Sequence, residues 1–512
     1  MATDPQIREI SNTNWINWHR TYAVDAARHL QLRPASGSLR PASFKRSAEL
    51  VLDLIEEART AGATIRPMGA NWSFSQVSAQ QDAWLLDTSP ANRKALLGPA
   101  ALDPGFTGDP DSLLLTQCGT SVHEINQYLE RQRERSLATS GASNGQTIVG
   151  AMSTGTHGSA IDHGGIQSLV VAIQLLTVDG QNLWLERPSR PVVAQSLAES
   201  FGAVLTRDDE KFEAALVSLG LLGVIHSVVI ETRPRFLLSA SQFEHPYDDT
   251  LRQAMRNFDP RSLDIPGDVT IPPGNPQPYF FQAVFNPHAP DDPARVKIMY
   301  ELPWDPDYEI DYRQQGKFGP AYDLPGFVGK LLDVLDPLTP FVTTEIFKLQ
   351  LKLFRNEIGS WGEMFNFTTP RSQTAGVSVA VPAARCDEAL DIALKTHARF
   401  GPAPIAFACR FVQKSPGHLA FTRYDPSCVI DMDGLNSVNT HAIVEHIRRA
   451  LDEAEIPYAQ HWGKFHDLTG GRLANSYGGD LDRFLAARNE LLPNAADKRT
   501  FSLAAQETVI GL

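Results

Sequence analysis

Residues 136–160 read SLATSGASNGQTIVGAMSTGTHGSA, with glycines at Gly141, Gly145, Gly150, Gly155 and Gly158. The side chains between them are small or hydroxylated, so little of the run is suited to a core. Small side chains let backbone N–H groups approach a ligand closely, and successive exposed amides form an anion-binding concavity. A diphosphate carrying a flat ring system suits such a surface. Read alone, the same composition also suits a mobile Gly/Ser loop.

A chain of 512 residues exceeds one ordinary core, which predicts two or more domains. Hydrophobic residues at 42% and charged residues at 21% are those of a soluble globular protein. Lys+Arg 46 against Asp+Glu 59 leaves a net charge of −13, which argues against a nucleic-acid or anionic-membrane surface. Cys118, Cys386, Cys409 and Cys428 are widely spaced without a metal-ligand pattern. They read as small buried hydrophobes, with one disulfide as the alternative. The opening MATDPQIREISNTNW lacks a basic stretch followed by an apolar run, so no signal peptide is expected. No stretch approaches the roughly 18 apolar residues needed to span a bilayer. Together these predict a cytoplasmic protein without membrane insertion; they say nothing of its oligomeric state.

Trp15 and Trp18 read as anchors of a terminal segment, followed by a linker from Arg33 to Pro41. A helix is expected from a Ser47 cap to Gly62, with Leu50, Val51, Leu54, Ile55 and Ala58 inward. Strands are expected at Thr64 to Met68, at Trp84 to Asp87 and at Leu113 to Gly119. Ser121 and Glu124 form a capping box for the next helix. Beyond the glycine run, Leu169 to Thr177 and Gln181 to Glu186 read as a hairpin through Asp179-Gly180. A helix near Asp209 to Leu216 and a strand ending at Ile230 close a first domain near Pro234. Residues 236–455 alternate strands (Phe280–Phe285, Arg295–Glu301, Gly376–Val381, Ile405–Val412) with helices (Asp387–Phe400, His441–Ala454). A proline-rich insertion from Pro303 to Pro340 interrupts them. That pattern predicts an antiparallel sheet with helices on one face. The last segment, 456–512, carries His461-Trp462-Gly463-Lys464 and a helix from Asp480 to Leu492.

A second small-residue stretch, Arg66-Pro67-Met68-Gly69-Ala70-Asn71-Trp72-Ser73, lies upstream of the glycine run. The run itself is not a dinucleotide fingerprint, because Gly141-Ala-Ser-Asn-Gly145 lacks the G-x-G-x-x-G spacing and no strand–turn–helix frame is evident. Backbone amides with the hydroxyls of Ser73, Ser153 and Thr154 can nevertheless hold a pyrophosphate without a basic residue. Together the two stretches argue for FAD.

The order RPMGANWS, SGASNGQTIVGAMSTGTHGSA, LGLLGVIHSVVIETRP and HWGK resembles the vanillyl-alcohol-oxidase type (PCMH-type) of FAD-dependent oxidoreductase. Within it the chain is most similar to the aldonolactone/alditol oxidase branch and, more loosely, to class II cholesterol oxidase. The similarity covers most of residues 12–235 and 455–495. It implies an α+β, two-domain PCMH-type FAD-binding fold with an antiparallel-sheet substrate cap: 1–235 binding FAD, 236–455 forming the cap, and 456–512 returning to the FAD domain. It implies cofactor contacts from Arg66, Pro67, Met68, Gly69, Ala70, Asn71, Trp72 and Ser73. In the glycine run it implies Ser140, Gly141, Gly145, Gln146, Thr147, Gly150, Ala151, Ser153, Thr154, Gly155, His157 and Gly158. Gly223 and Ile225 are implied near the adenine end.

The chain departs from the resemblance at two positions. Where many relatives carry a histidine covalently bonded to the flavin, this chain has Trp72, so the FAD is expected to be non-covalent. Where aldonolactone and alditol oxidases show Glu-x-Arg on a cap strand, Pro404-Ile-Ala-Phe-Ala-Cys-Arg410 keeps the arginine but has alanines where the glutamate would fall. Arg410 reads as a pocket wall or as an ion-paired strand arginine. Lys464 is expected to supply a cation that stabilises reduced flavin, and His461 to assist it or to be structural. His157 is expected to pack on the flavin. Glu345, Glu357 and Glu363 are candidate replacement bases. Phe280, Phe281, Phe285, Tyr300, Trp304, Trp361 and Phe365 are core or the wall of an apolar pocket. The expected function is hydride abstraction from a C–OH carbon of a small-molecule substrate, with re-oxidation by O2 or another acceptor. The alternatives are a flavin-dependent desaturase or oxidative cyclase and a non-catalytic flavin-binding protein.

Overall fold

The computed structural model describes residues 4–36, 40–312, 336–367, 371 and 373–503. Residues 313–335, most of the proline-rich insertion, lie outside the described residues.

The amino-terminal half holds two sheets. In the first, Gln6–Glu9, Arg28–Arg33, Trp84–Asp87 and Ile65–Met68 lie side by side, and the last three run parallel. The Ile65–Met68 strand reaches its partner through the excursion that contains Gly69–Ser73, which places that loop at the sheet's end. The helix against this sheet spans Pro41–Thr60 and starts six residues before the expected Ser47 cap. Pro41 has the backbone angle a first helical residue needs and lacks only an N–H that would be unpaired there. Ser47 is therefore a buried interior residue, its hydroxyl 3.0 Å from His226 Nε2.

The second sheet orders Val204–Arg207, Asn182–Glu186, Val170–Leu176, Val224–Glu231, Leu113–Gln117 and Lys94–Leu96. Its hairpin turns at Asp179 and Gly180, both with positive φ, 54° and 68°, as a two-residue turn of matching twist requires. The capping box of Ser121 and Glu124 is present, heading the Val122–Gln132 helix.

The later half is built on an eight-stranded sheet with antiparallel pairing throughout: Phe354–Ser360, Leu237–His245, Ala294–Leu302, Phe280–Phe285, Ile405–Val412, Ser427–Leu435, Thr374–Pro382 and Ala459–Gln460. Helices Asp249–Asn257, Cys386–Phe400 and Val438–Glu453 bury Leu251, Leu390 and Ile443 against one face, with Phe243, Phe281, Phe407 and Ile430. The opposite face contributes Ala240, Phe280, Met299, Ala380, Val412 and Val429 to the core of the amino-terminal half. Residues on that second face therefore look toward the glycine-rich loops. After Ala459–Gln460 the chain leaves the sheet. Helix Gly479–Leu491 joins Asp209–Leu216 through Arg483–Glu210 at 2.7 Å, and Ala495–Thr500 joins Pro41–Thr60 through Arg59–Asp497 at 2.7 Å.

Candidate active site

The Gly69–Ser73 and Ser140–Gly158 loops pack directly on each other. A Cβ on Gly69 would stand 2.1 Å from Thr147 Oγ1, and one on Gly158 would stand 2.3 Å from the Ser140 carbonyl oxygen. Only glycine permits that approach. Thr147 caps a short helix, Ile148–Ser153, which the glycine content conceals; Ile148, Ala151 and Met152 are its buried face. The run thus has a helical frame and a small core of its own, contrary to the sequence reading. Gly150 N donates to the Thr147 cap, Thr154 Oγ1 donates to Gly150 O, and Ser153 O accepts from Leu219 N. Among the described residues, the backbone amides of Ala70, Asn71, Trp72 and Ser73, and of Ser140, Gly141 and Ala142, donate to no protein acceptor. Consecutive free amides of this kind make an anion nest. A cavity of about 260 Å³ opens at the first of these loops, lined by Trp15, Trp18, Met68, Gly69, Ala70 and Asn71.

Trp72 stacks on Trp18 with ring centroids 5.0 Å apart and covers Gly145, whose added Cβ would meet the indole at 2.4 Å. Both indoles are therefore fixed at the loop. Gln146 keeps a buried side-chain oxygen without a partner. Arg66 is placed differently. Its guanidinium is fully buried and donates to the carbonyls of Val77, Leu219, Gly220 and Phe501. The Arg66 side chain is a clamp that ties the loop base to the 219–220 turn and the carboxyl terminus. Pro67 and Met68 belong to the strand, Met68 with its side chain in a core. Gly223 and Ile225 sit at the start of the Val224–Glu231 strand, where a Cβ on Gly223 would stand 2.3 Å from Leu176 O.

The His461–Lys464 segment reaches both loops. A Cβ on Gly463 would lie 3.3 Å from Thr154 Oγ1 and 3.4 Å from Ser73 Oγ. Gly463 O accepts from Phe74 N at 2.7 Å, and Trp462 O accepts from Ser75 Oγ at 2.6 Å. Gly155 packs against Phe421, which also touches the His157 and His461 rings.

Beside this junction lies a charged cluster centred on Asp431, a residue that sequence reasoning missed. Asp431 is fully buried. Lys464 Nζ donates to its Oδ1 at 2.9 Å and to Asp433 Oδ1 at 2.9 Å. Arg410 Nε stands 3.1 Å from its Oδ2, and Ser378 Oγ donates to Oδ1. Burial opposes the carboxylate charge, but Arg410, Lys464, His157 and the Ser378 hydroxyl together hold Asp431 well below the usual range. For Lys464, burial is outweighed by Asp431 and Asp433, and its pKa rises. Both ions are present at neutral pH. Asp431 Oδ2 meets Arg410 without a well-aligned hydrogen bond, which leaves it capacity to accept from a further donor. His157 and His461, ring centroids 5.8 Å apart, are neutral. Burial is the main cause in each, bringing His157 down to about 4 and His461 well below 6.5. His157 Nδ1 donates to Gly158 O at 3.1 Å, which leaves a lone pair on Nε2, 4.0 Å from Asp431 Oδ1. His461 Nδ1 accepts from Gly463 N, so its proton is on Nε2.

The other candidates are elsewhere. Glu363 caps its own short helix through Ser360, Glu357 is exposed on an edge strand, and Glu345 pairs with Lys348 on the surface. Phe281, Phe285 and Tyr300 belong to the core under the helices, and Phe280, Trp361 and Phe365 pack on one another at the junction of the two halves. Trp304 lies under Arg235. A larger groove of about 590 Å³ is lined by Tyr424, Asp452, Tyr458 and Arg472 and includes neither loop. No cluster of metal-ligating side chains occurs among the described residues.

Comparison with known proteins agrees with this geometry. An FAD binding domain is matched over residues 44–186. The D-arabinono-1,4-lactone oxidase of Candida albicans is 29% identical over 201 residues, 38% of this chain and 32% of that protein. The chain therefore spans about a third of the length of that relative. The L-gulono-1,4-lactone dehydrogenase of Mycobacterium tuberculosis is 26% identical over 486 residues, 94% of this chain and 96% of that one. In fold, the chain is similar to the cholesterol oxidase from Brevibacterium sterolicum, with a TM-score of 0.68 at 16% identity, covering 99% of this chain and 97% of that one. With its matched FAD binding domain, its end-to-end relative and its shared fold, the chain resembles the PCMH-type FAD-dependent oxidoreductases in both sequence and architecture.

Proposed function

We propose that the protein oxidises a C–OH carbon of a small polar molecule at the junction of the glycine-rich loops and the cap sheet, using non-covalently held FAD. The observation that carries this is the place of Lys464 and Asp431. A fully buried carboxylate and its partly buried cation stand immediately beyond the loops that Gly463 joins. The loops suit the cofactor: free amides at 70–73 and 140–142 match a diphosphate. Bound there, FAD supplies a hydride acceptor and an onward path for electrons to O2 or another acceptor. The chain supplies the rest. Asp431, held as the carboxylate by Arg410 and Lys464, orients the substrate hydroxyl by accepting from it. The neutral His157 Nε2 takes that proton as the carbonyl forms. Lys464 sets a positive potential where negative charge develops, in a site that excludes water. Trp72 cannot form the histidyl bond, which is the ground for non-covalent attachment.

The desaturase and cyclase alternative rests on a missing acid, and Asp431 supplies an acid. The relatives' names point to sugar lactones as one substrate class. The test is a visible spectrum of the purified protein, acid precipitation, and then anaerobic mixing with a panel of polyols, lactones and hydroxy acids. Flavin bands, yellow supernatant and bleaching by one class are expected. A colourless protein that cannot be reconstituted with FAD overturns the reading, and colour in the pellet overturns non-covalent attachment.

A further inference from the structure

The sheet face that presents Arg410 and Asp431 continues outward as a polar row. Gln282 is the cross-strand partner of Arg410 on one side and of Lys297 on the other. Directly paired residues project to the same face, and neighbouring strands are about 4.8 Å apart. Lys297, Gln282 and Arg410 therefore stand in line across the Ala294–Leu302, Phe280–Phe285 and Ile405–Val412 strands.

Lys297 is unlike the other cations of this face. Arg295 is paired with Glu244, and Lys464 with Asp431 and Asp433. Among the described residues, half-buried Lys297 has no carboxylate within 4.0 Å and donates no hydrogen bond; its ammonium lies 5.5 Å from the Phe354 ring centroid. Glu357 attracts it from farther away, at the exposed edge. Burial, and then repulsion from Arg410, lowers the Lys297 pKa. Arg410 has a free end as well. Its Nε faces Asp431, while its two terminal nitrogens hydrogen-bond no protein group among the described residues. Two cations with unused donors thus flank a neutral amide, facing the side from which substrate meets Asp431. A partly buried cation without a partner, such as Lys297, is costly unless an anion completes it.

We propose that Lys297, Gln282 and Arg410 bind a carboxylate of the substrate, making the protein an oxidoreductase of hydroxy acids. This assignment rests on the function proposed above. The carboxylate lies between Arg410 and Lys297, and the hydroxyl of the same molecule points to Asp431. Bound FAD would supply the acceptor for the carbinol hydride, while the hydroxyl proton passes to His157 and the carboxylate is unchanged. The arginine end gives two parallel donors that match a planar carboxylate, and the lysine gives a point charge.

Calorimetric titration of the flavin-loaded protein with glycolate and with its neutral amide, glycolamide, tests this, with inorganic phosphate as a third probe. Glycolate is expected to bind at least tenfold tighter than glycolamide. Lys297→Met is expected to abolish the difference, Lys297→Arg to keep it, and Gln282→Glu to exclude glycolate while leaving the flavin spectrum and the thermal melt unchanged. Equal binding of the two, no binding of either, or an unaltered preference in Lys297→Met overturns the proposal. Tighter binding of phosphate than of glycolate overturns it in favour of a phosphate ester. A yellow protein without carboxylate preference refutes this proposal alone, whereas a protein that cannot take up FAD refutes the function on which it rests.

Discussion

Ala408 and Asp431 face each other as direct partners across the Ile405–Val412 and Ser427–Leu435 strands. Paired residues share a face of the sheet, so the carboxylate absent from position 408 is presented one strand away, beside the same Arg410. The acid and the arginine remain neighbours although the sequence separates them by 21 positions rather than two.

Asp431→Asn should therefore lower kcat/KM by about 10²-fold, the usual effect of removing one oriented polar group at a reacting centre. It should also lower the thermal midpoint, because Lys464 and Arg410 lose the buried partner that offsets their charge. Combining it with Ala408→Glu returns a carboxylate to the same face and should restore kcat/KM to within about tenfold of the parent. Steady-state kinetics and a melt on the parent and the two variants measure both effects. Full activity in Asp431→Asn would remove Asp431 from the site.

The two small-residue loops were legible in the sequence because their physics is local. Glycine at Gly69, Gly141 and Gly158 is required by approaches of 2.1–2.6 Å that any Cβ would make, and small-residue runs show on inspection. Most of the sheet was also readable, since Phe280–Phe285 is a short apolar run and alternation along Ile405–Val412 survives in a single strand. Asp431 was hidden because its importance depends on cross-strand register, which no local pattern encodes. The Leu237–His245 and Ser427–Leu435 strands escaped notice for a related reason: the first is buried at nearly every position, and the second is buried over its first six residues, so the expected alternation is missing. Lys464 was legible as a cation in a motif, but its two carboxylate partners were not. Arg66 misled: an arginine at the head of a phosphate-type loop is spent on four carbonyls.

Trp72 forms a lid over Gly145 and a stack on Trp18. Trp72→Ala removes both, leaving the amides of the loop less well ordered. An offset-stacked pair contributes about 0.5–1.5 kcal/mol beyond its buried area, so the dissociation constant for FAD should rise about tenfold. Fluorescence titration of the apoprotein with FAD gives that constant directly. Unchanged affinity would show that the indole is irrelevant to cofactor retention.

Cys118, Cys386, Cys409 and Cys428 are all buried and free of disulfides. Burial pushes the Cys118 thiol up to about 12 and raises Cys409 and Cys428. Since the thiolate is the reactive form, the native protein should react with none of its thiols when mixed with a disulfide reagent at pH 8. In denaturant all four should react. A thiol titrating rapidly in the native state would contradict their burial.

Acid sensitivity should trace in part to His226, alongside the buried neutral rings of His157 and His461. The His226 ring lies in the core under Phe44, with Nδ1 donating to Gln174 Oε1 at 3.0 Å and Nε2 accepting from Ser47 Oγ. Burial alone brings its pKa from 6.5 down to about 3. Between those values the unfolded chain binds a proton that the native protein refuses, so falling pH favours unfolding. The stability held by the neutral ring is complete above pH 6.5 and is lost progressively as pH falls toward 3. His288 and His466, each lowered to about 4 mainly by burial, add to the same slope. The thermal midpoint should therefore fall steadily from pH 6.5 to pH 4. His226→Gln keeps a donor for Gln174 and an acceptor for Ser47 but cannot titrate. It should be less stable than the parent at pH 7, through lost packing on Phe44, and its midpoint should fall less steeply over the same range. Parallel slopes for the two proteins would place the acid sensitivity in other groups.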